Sequence, residues 1–332
     1  MNRIIAVLGL SLSLFMSSYA WAAEPYGIGL EGFAYPYPVA MLAVPGEGET
    51  LRLAYMDVKP TGPANGRSIV LLHGRNFPSS YWEPTIKALA GAGYRVVVPD
   101  QVGFGKSSKP TAPLSFDLLA RHTLALVDSL GLGKVDIVAH SMGGMLAVRF
   151  ARFYPDRLNR LVMAAPIGLE DYRNFVPPVE TERLLAVEDK LTPDAYRRQL
   201  VTNYSLTLPP EDITPFIDAR MRIKDSAEYP RWLRAFVNSY QMIYGQPVVY
   251  EIPLLPQPVL FIMGGNDHNA PGRAYAPEAL RPRMGDNVRL ARDLAARMKD
   301  ARVEVFDGIG HLVQLEAKDR FNASVLAFLN AP

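Results

Sequence analysis

The sequence predicts an α/β protein: a mostly parallel central sheet with helices on both faces. Three observations carry this. Short apolar, β-branched runs recur at "SIVLLHG" (68–74), "YRVVVPD" (94–100), "KVDIVAH" (134–140) and "LNRLVMAAP" (158–166). Helix-patterned windows at 79–93, 115–130 and 142–154 separate them, with short joints. Each run lacks the alternation of a half-exposed strand, as expected for strands covered on both faces. Strand and helix alternating in this way imply parallel pairing, and ligands of such sheets sit beyond the C-terminal strand ends.

In chain order, the first segment reads "MNRIIAVLGLSLSLFMSSYAWAAEP". One positive charge, a short apolar run and Ala20-Trp21-Ala22 predict a secretory signal peptide over 1–22, cut after Ala22, and hence a periplasmic or secreted protein with no stable membrane span. Residues 51–58 alternate enough to be a strand. "EGFAYPYPVAMLAVPGEGE" (31–49) reads either as packing on the later helical segment or as an edge hairpin. After the fourth strand the rhythm changes. Residues 168–250 hold prolines, aromatics and long helical windows (179–190, 193–204, 229–244), a helical insertion between two parts of one core, 23–167 and 251–332. "QPVLFIMGGND" (257–267) resumes the strand pattern. A helix at 286–299, a strand at 302–307 and a helix at 315–329 follow.

Composition narrows the chemistry. Of 332 residues, 49% are hydrophobic and 20% charged, an ordinary globular balance. The formal charge of +2 makes no case for nucleic acid. With no cysteine, thiol catalysis, disulfides and cysteine-ligated metals are excluded.

"VDIVAHSMGGML" (135–146) holds the first chemical signal. A serine between a strand and a helix, with Ala139 two residues before and Gly143 two after, has the form of a nucleophile elbow with alanine for the first glycine. A helix N-terminus aims free N–H groups at that point. The plainer reading of Ser141 is a helix cap. A nucleophilic serine needs a base. Of five histidines, His311 follows the last strand in "FDGIGHLVQLE", where Gly308 and Gly310 let the loop hold it over the sheet edge, and is the expected base. His140 should point to the opposite strand face. His73, His122 and His268 are the others. Asp267, at the end of "VLFIMGGND", is the expected acid partner, completing the order Ser141, Asp267, His311. Glu170 or Asp171 is the alternative acid, and Asp100 reads as a loop brace. For a developing oxyanion, the N–H of Met142 and that of Arg75 in "HGRNFPSS" are expected donors, with Asn76 as the other choice. The Arg75 side chain either meets an anionic substrate or extends into solvent. Trp232, Phe236 and Tyr240 recur on one helix face, as packing or as a roof over the site.

Together "LLHGRNF" (71–77), "VVVPDQVGFGKSSKP" (96–110), "VAHSMGGMLA" (138–147), "IMGGND" (262–267) and "GIGHLVQLE" (308–316) resemble the α/β-hydrolase family. The resemblance covers roughly 51–166 and 257–330. It implies the α/β-hydrolase fold, with 168–250 as a helical cap inserted after the fourth parallel strand. Haloalkane dehalogenases and epoxide hydrolases of this fold carry aspartate where Ser141 stands. Carbon–carbon bond hydrolases use serine but usually have a glycine-proline-rich loop after His-Gly, and proline iminopeptidases a His-Gly-Gly-Pro loop; "HGRNFPSS" departs from both. The expectation is a carboxylic ester hydrolase acting on a small molecule through an acyl-enzyme, with perhydrolase side activity open. It needs no metal or organic cofactor. Alternatives are carbon–carbon hydrolysis, lactonase or amidase chemistry, or a non-catalytic binding protein on the same fold.

Overall fold

The computed structural model describes residues 25–331, so the expected signal peptide over 1–22 lies outside the described residues. Eight strands form one sheet: β1 (Val39–Pro45), β2 (Thr50–Val58), β3 (Ser68–Leu72), β4 (Arg95–Asp100), β5 (Val135–His140), β6 (Leu158–Ala164), β7 (Val259–Gly264) and β8 (Ala301–Phe306). Their order is β1-β2-β4-β3-β5-β6-β7-β8. From β4 to β8 all neighbours are parallel. β1 and β2 form an antiparallel edge hairpin, and β2 joins β4 antiparallel. The stretch 31–49 thus supplies an edge strand. Residues before it also reach the helical segment, where the Tyr26 N–H donates to Arg222 O at 3.2 Å.

Period-2 alternation divides the core between the two sheet faces. In β3, Ile69 and Leu71 pack with Ile86 and Leu89 of helix α1 (Glu83–Gly91) and Phe321 and Val325 of helix α10 (Lys318–Leu329). Val70 and Leu72 pack on the other face with Leu119 and Leu126 of α2 (Phe116–Ser129) and Met145 and Leu146 of α3 (Met142–Phe153). The Ser115 side chain caps α2 by accepting from Leu118 N at 3.1 Å.

Between β6 and β7 lie four helices: α4 (Thr181–Asp189), α5 (Pro193–Tyr204), α6 (Pro210–Ile223) and α7 (Tyr229–Gly245). Three answer to the expected windows, and α6 is an addition. Its apolar residues Ile213 and Ile217 are four apart and buried. Helix α8 (Asn287–Ala295) precedes β8, and α9 (Val313–Glu316) follows it. Among the described residues no helix is long and apolar enough to cross a membrane.

Candidate active site

β5 ends at His140 and α3 begins at Met142, so Ser141 is the whole turn. Its backbone, at φ 55 and ψ −120, is one that side chains rarely adopt. Tight packing maintains it. A methyl group on Gly143 would lie 2.5 Å from Leu72 O, so only glycine fits where α3 leaves the sheet. The Ser141 side chain does not cap α3, which sets aside the helix-cap reading.

The structure brings together the three residues expected from the sequence. His311 Nε2 lies 2.9 Å from Ser141 Oγ, and His311 Nδ1 lies 2.8 Å from Asp267 Oδ2. Because a carboxylate only accepts, Nδ1 carries the proton and Nε2 is free to accept from the serine. Asp267 is 1% exposed and His311 fully buried, so water does not compete for this pair. The second Asp267 oxygen accepts from Asn269 N at 2.9 Å. Asn287 Nδ2 donates to Asp267 O and Asn269 O, at 3.2 and 3.1 Å. The long segment 269–286 thus begins by fastening the acid.

The alternative acids are engaged elsewhere. Asp171 is held by Arg173 and Tyr250, and Glu170 by the Gly285 N–H. Asp100 braces its loop, accepting from Ser79 N, Lys106 N and the Tyr35 hydroxyl at 2.9, 2.8 and 2.6 Å. His73, His122 and His268 bond to backbone carbonyls. His140 points to the strand face of Val138, away from that of Ala139, as expected, and there it meets His311. Its ring is 4.9 Å from that of His311, and its Nε2 is 3.0 Å from His311 O. Tyr81 OH receives the Gly74 N–H at 2.9 Å and lies 3.0 Å from His140 Nδ1. The carbonyl requires a proton on Nε2, so Tyr81 donates to Nδ1. Burial, and then the neighbouring His311, push the His140 pKa well below its ordinary value, so it stays neutral. A histidine next to the serine was visible in sequence; its contact with His311, 171 positions on, was not.

The N–H groups of Met142 and Arg75 have no hydrogen-bond partner among the described residues. Gly74 sets the loop 73–80 against Ser141: a methyl there would be 3.1 Å from Ser141 Cβ. The Arg75 side chain does not extend into solvent. It lies 3.6 Å from the Phe236 ring centroid, and donates to Ser239 Oγ and Phe236 O at 2.8 and 2.9 Å. Asn76 Nδ2 donates to the Tyr204 hydroxyl. Beside this loop is a cavity of about 40 Å³, lined by Leu30, Arg75, Phe104, Arg220, Trp232 and Phe236 among others. Trp232 and Phe236 stack at 4.9 Å, whereas Tyr240 turns to Tyr275. Arg220 is buried, lies 4.3 Å from both Tyr196 and Phe236, and is paired with Glu188. Arg75 stands 3.9 Å from the same carboxylate. Two guanidinium groups therefore share one carboxylate.

The alpha/beta hydrolase family profile matches residues 69–324. A 2-hydroxy-6-oxononadienedioate/2-hydroxy-6-oxononatrienedioate hydrolase of Burkholderia vietnamiensis is 32% identical over 292 residues, 85% of this chain and 92% of that one. A 2-hydroxy-6-oxo-6-phenylhexa-2,4-dienoate hydrolase of Burkholderia cepacia is 28% identical, over 80% of this chain and 88% of its own length. The crystal structure of a probable hydrolytic enzyme from Pseudomonas aeruginosa PAO1 matches with a TM-score of 0.89 at 39% identity, covering 93% of this chain and 99% of that one. With a matching sheet order, elbow and profile, this chain belongs to the alpha/beta hydrolase family.

Proposed function

We propose that this protein is a serine hydrolase that transfers an acyl group from its substrate to Ser141 and then to water. The supporting observation is the continuous contact from Ser141 Oγ through the imidazole of His311 to Asp267, at 2.9 and 2.8 Å. In this reading His311 takes the serine proton as Oγ attacks the carbonyl carbon. The N–H groups of Met142 and Arg75 hold the oxyanion. His311 passes the proton to the leaving group, and the acyl-enzyme remains. Water then attacks, giving its proton to the same nitrogen, and the serine is released with the acid.

The bond broken is the finer question. Both relatives named above are called hydrolases of 2-hydroxy-6-oxo acids. That supports carbon–carbon cleavage, in which a conjugated keto acid delocalises the departing electron pair. The Arg75–Arg220 pair, with Glu188 as its one carboxylate partner, suits an anionic substrate. Carboxylic ester hydrolysis is the second reading. The loop 73–80 favours it, because it departs from the glycine-proline-rich form usual in carbon–carbon hydrolases. In either case the helical insertion acts as a cap; the cavity borders the Arg75 loop but none of Ser141, Met142 or His311 lines it, so the insertion must yield for a substrate to reach the serine. We further propose that residues 1–22 are an export signal, to be checked by sequencing the N-terminus of the mature protein.

Incubation with a fluorophosphonate, followed by peptide mass mapping, tests the mechanism. The adduct belongs on Ser141, and modification of any other residue, or none, overturns it. Parallel assays with 2-hydroxy-6-oxo dienoic acids and with neutral aryl esters separate the two substrate readings. If a carboxylate is recognised, Arg220→Met raises KM for the acids and not for the esters.

A further inference from the structure

His311 sits in the short link between β8 and α9, where the N–H groups of residues 309–312 are all held. Glu316 accepts from Gly310 N at 3.2 Å and from Leu312 N at 2.9 Å. The His311 N–H itself donates to Tyr204 O at 2.8 Å. Tyr204 is the last residue of α5, so this acceptor comes from the helical insertion. Glu316 reaches the insertion as well, accepting from the N–H and hydroxyl of Thr207 at 2.9 and 2.7 Å. The Tyr204 ring lies 4.4 Å from the imidazole, centroid to centroid. The two segments are close enough to require glycine at 310, where a methyl group would be 2.3 Å from Ser205 O and 2.4 Å from Tyr204 O. Ser205, at φ 50, turns the chain so that Tyr204 and Thr207 meet the same loop.

We infer that Glu316 and the segment 204–207 are positioning elements for the base. They fix where His311 Nε2 meets Ser141 Oγ, and so the insertion forms part of the seat of the catalytic histidine as well as its cover. Hydrogen bonds to a carboxylate are about twice as strong as neutral ones, which suits a tie that must hold a loop in one place. Raising the insertion would withdraw Tyr204 O and Thr207 together and loosen the base. Activation of the serine is thereby coupled to closure. This rests on the reading of Ser141 as nucleophile and His311 as its base.

The test measures the rate of fluorophosphonate modification of Ser141 from pH 5 to 9, in wild type and in three variants: Thr207→Val, Thr207→Ser and Glu316→Gln. Thr207 is exposed, so removing its hydroxyl leaves the fold intact. Thr207→Val should slow modification about three- to tenfold, the worth of one hydrogen bond, and Thr207→Ser should restore it. Glu316→Gln turns an amide group toward N–H donors and should slow modification roughly 10²-fold, as for a reacting group displaced by about 1 Å. For an aryl acetate, kcat should fall in the slowed variants with KM unchanged. Wild-type rates in all three variants, or equal slowing by Val and Ser, would overturn the inference. If Glu316→Gln does not fold by circular dichroism, the Thr207 pair decides alone. Failure of wild type itself to react would instead overturn the serine mechanism.

Discussion

Ser141 and His311 are 170 residues apart, yet their side chains meet at 2.9 Å. A hydroxyl is a weak nucleophile until a base of fixed tautomer faces it, and here the Asp267 carboxylate supplies that tautomer. Replacing Ser141 by Ala should lower kcat by roughly 10⁶-fold. Asp267→Asn keeps the shape but forces the wrong tautomer, and should lower kcat by about 10⁴-fold with KM little changed. Steady-state kinetics on the best substrate checks both, and an Asp267→Asn enzyme within tenfold of wild type would contradict the assigned roles. Ser141 was legible because its signature is local, one serine among the smallest residues. His311 was chosen by its place after the last strand. Arg75 was legible as a loop residue only. Its inward turn depends on Phe236 and Ser239, more than 160 positions away, and no local pattern announces that contact.

At the scale of elements, the junction of β5 and α3 concentrates the sequence's demands. Parallel pairing of β5 with β3 and β6 buries it completely, and α3 must leave at once to set its N-terminus behind the serine. The space for this exists only because residue 143 lacks a side chain. Gly143→Ala should therefore cost about 1–3 kcal/mol, since its methyl group meets backbone oxygen that cannot turn aside. Urea denaturation measures the loss, and an unchanged midpoint would show that the elbow has slack. Helix α7 was legible by its aromatic spacing. That spacing did not divide its residues between Trp232 and Phe236 at the cavity and Tyr240 against Tyr275. A helix face states which residues are buried, and its neighbours decide against what.

For the whole molecule, buried histidines tie stability to pH. Burial pushes the pKa of both His73 and His140 below the ordinary value. Below about pH 6.5 the unfolded chain takes up protons that the folded protein refuses, so stability falls with falling pH until each folded-state pKa is reached. Burial raises Glu170 and Asp136, which oppose the trend nearer the carboxylate range. The urea midpoint should decline from pH 7 to pH 5, and a flat profile would mean that these imidazoles protonate in place. By itself the sequence determined the layered α/β architecture, the insertion after the fourth parallel strand and the elbow serine, because periodicity and the need for small residues are properties of neighbours in the chain. Only the tertiary structure decided that Asp267, rather than Glu170 or Asp171, meets His311, that His140 touches it, that Arg75 folds inward and that the end of α5 meets the histidine loop. Those contacts join residues far apart in the chain, and their geometry is set by the packing of the whole sheet and its helices.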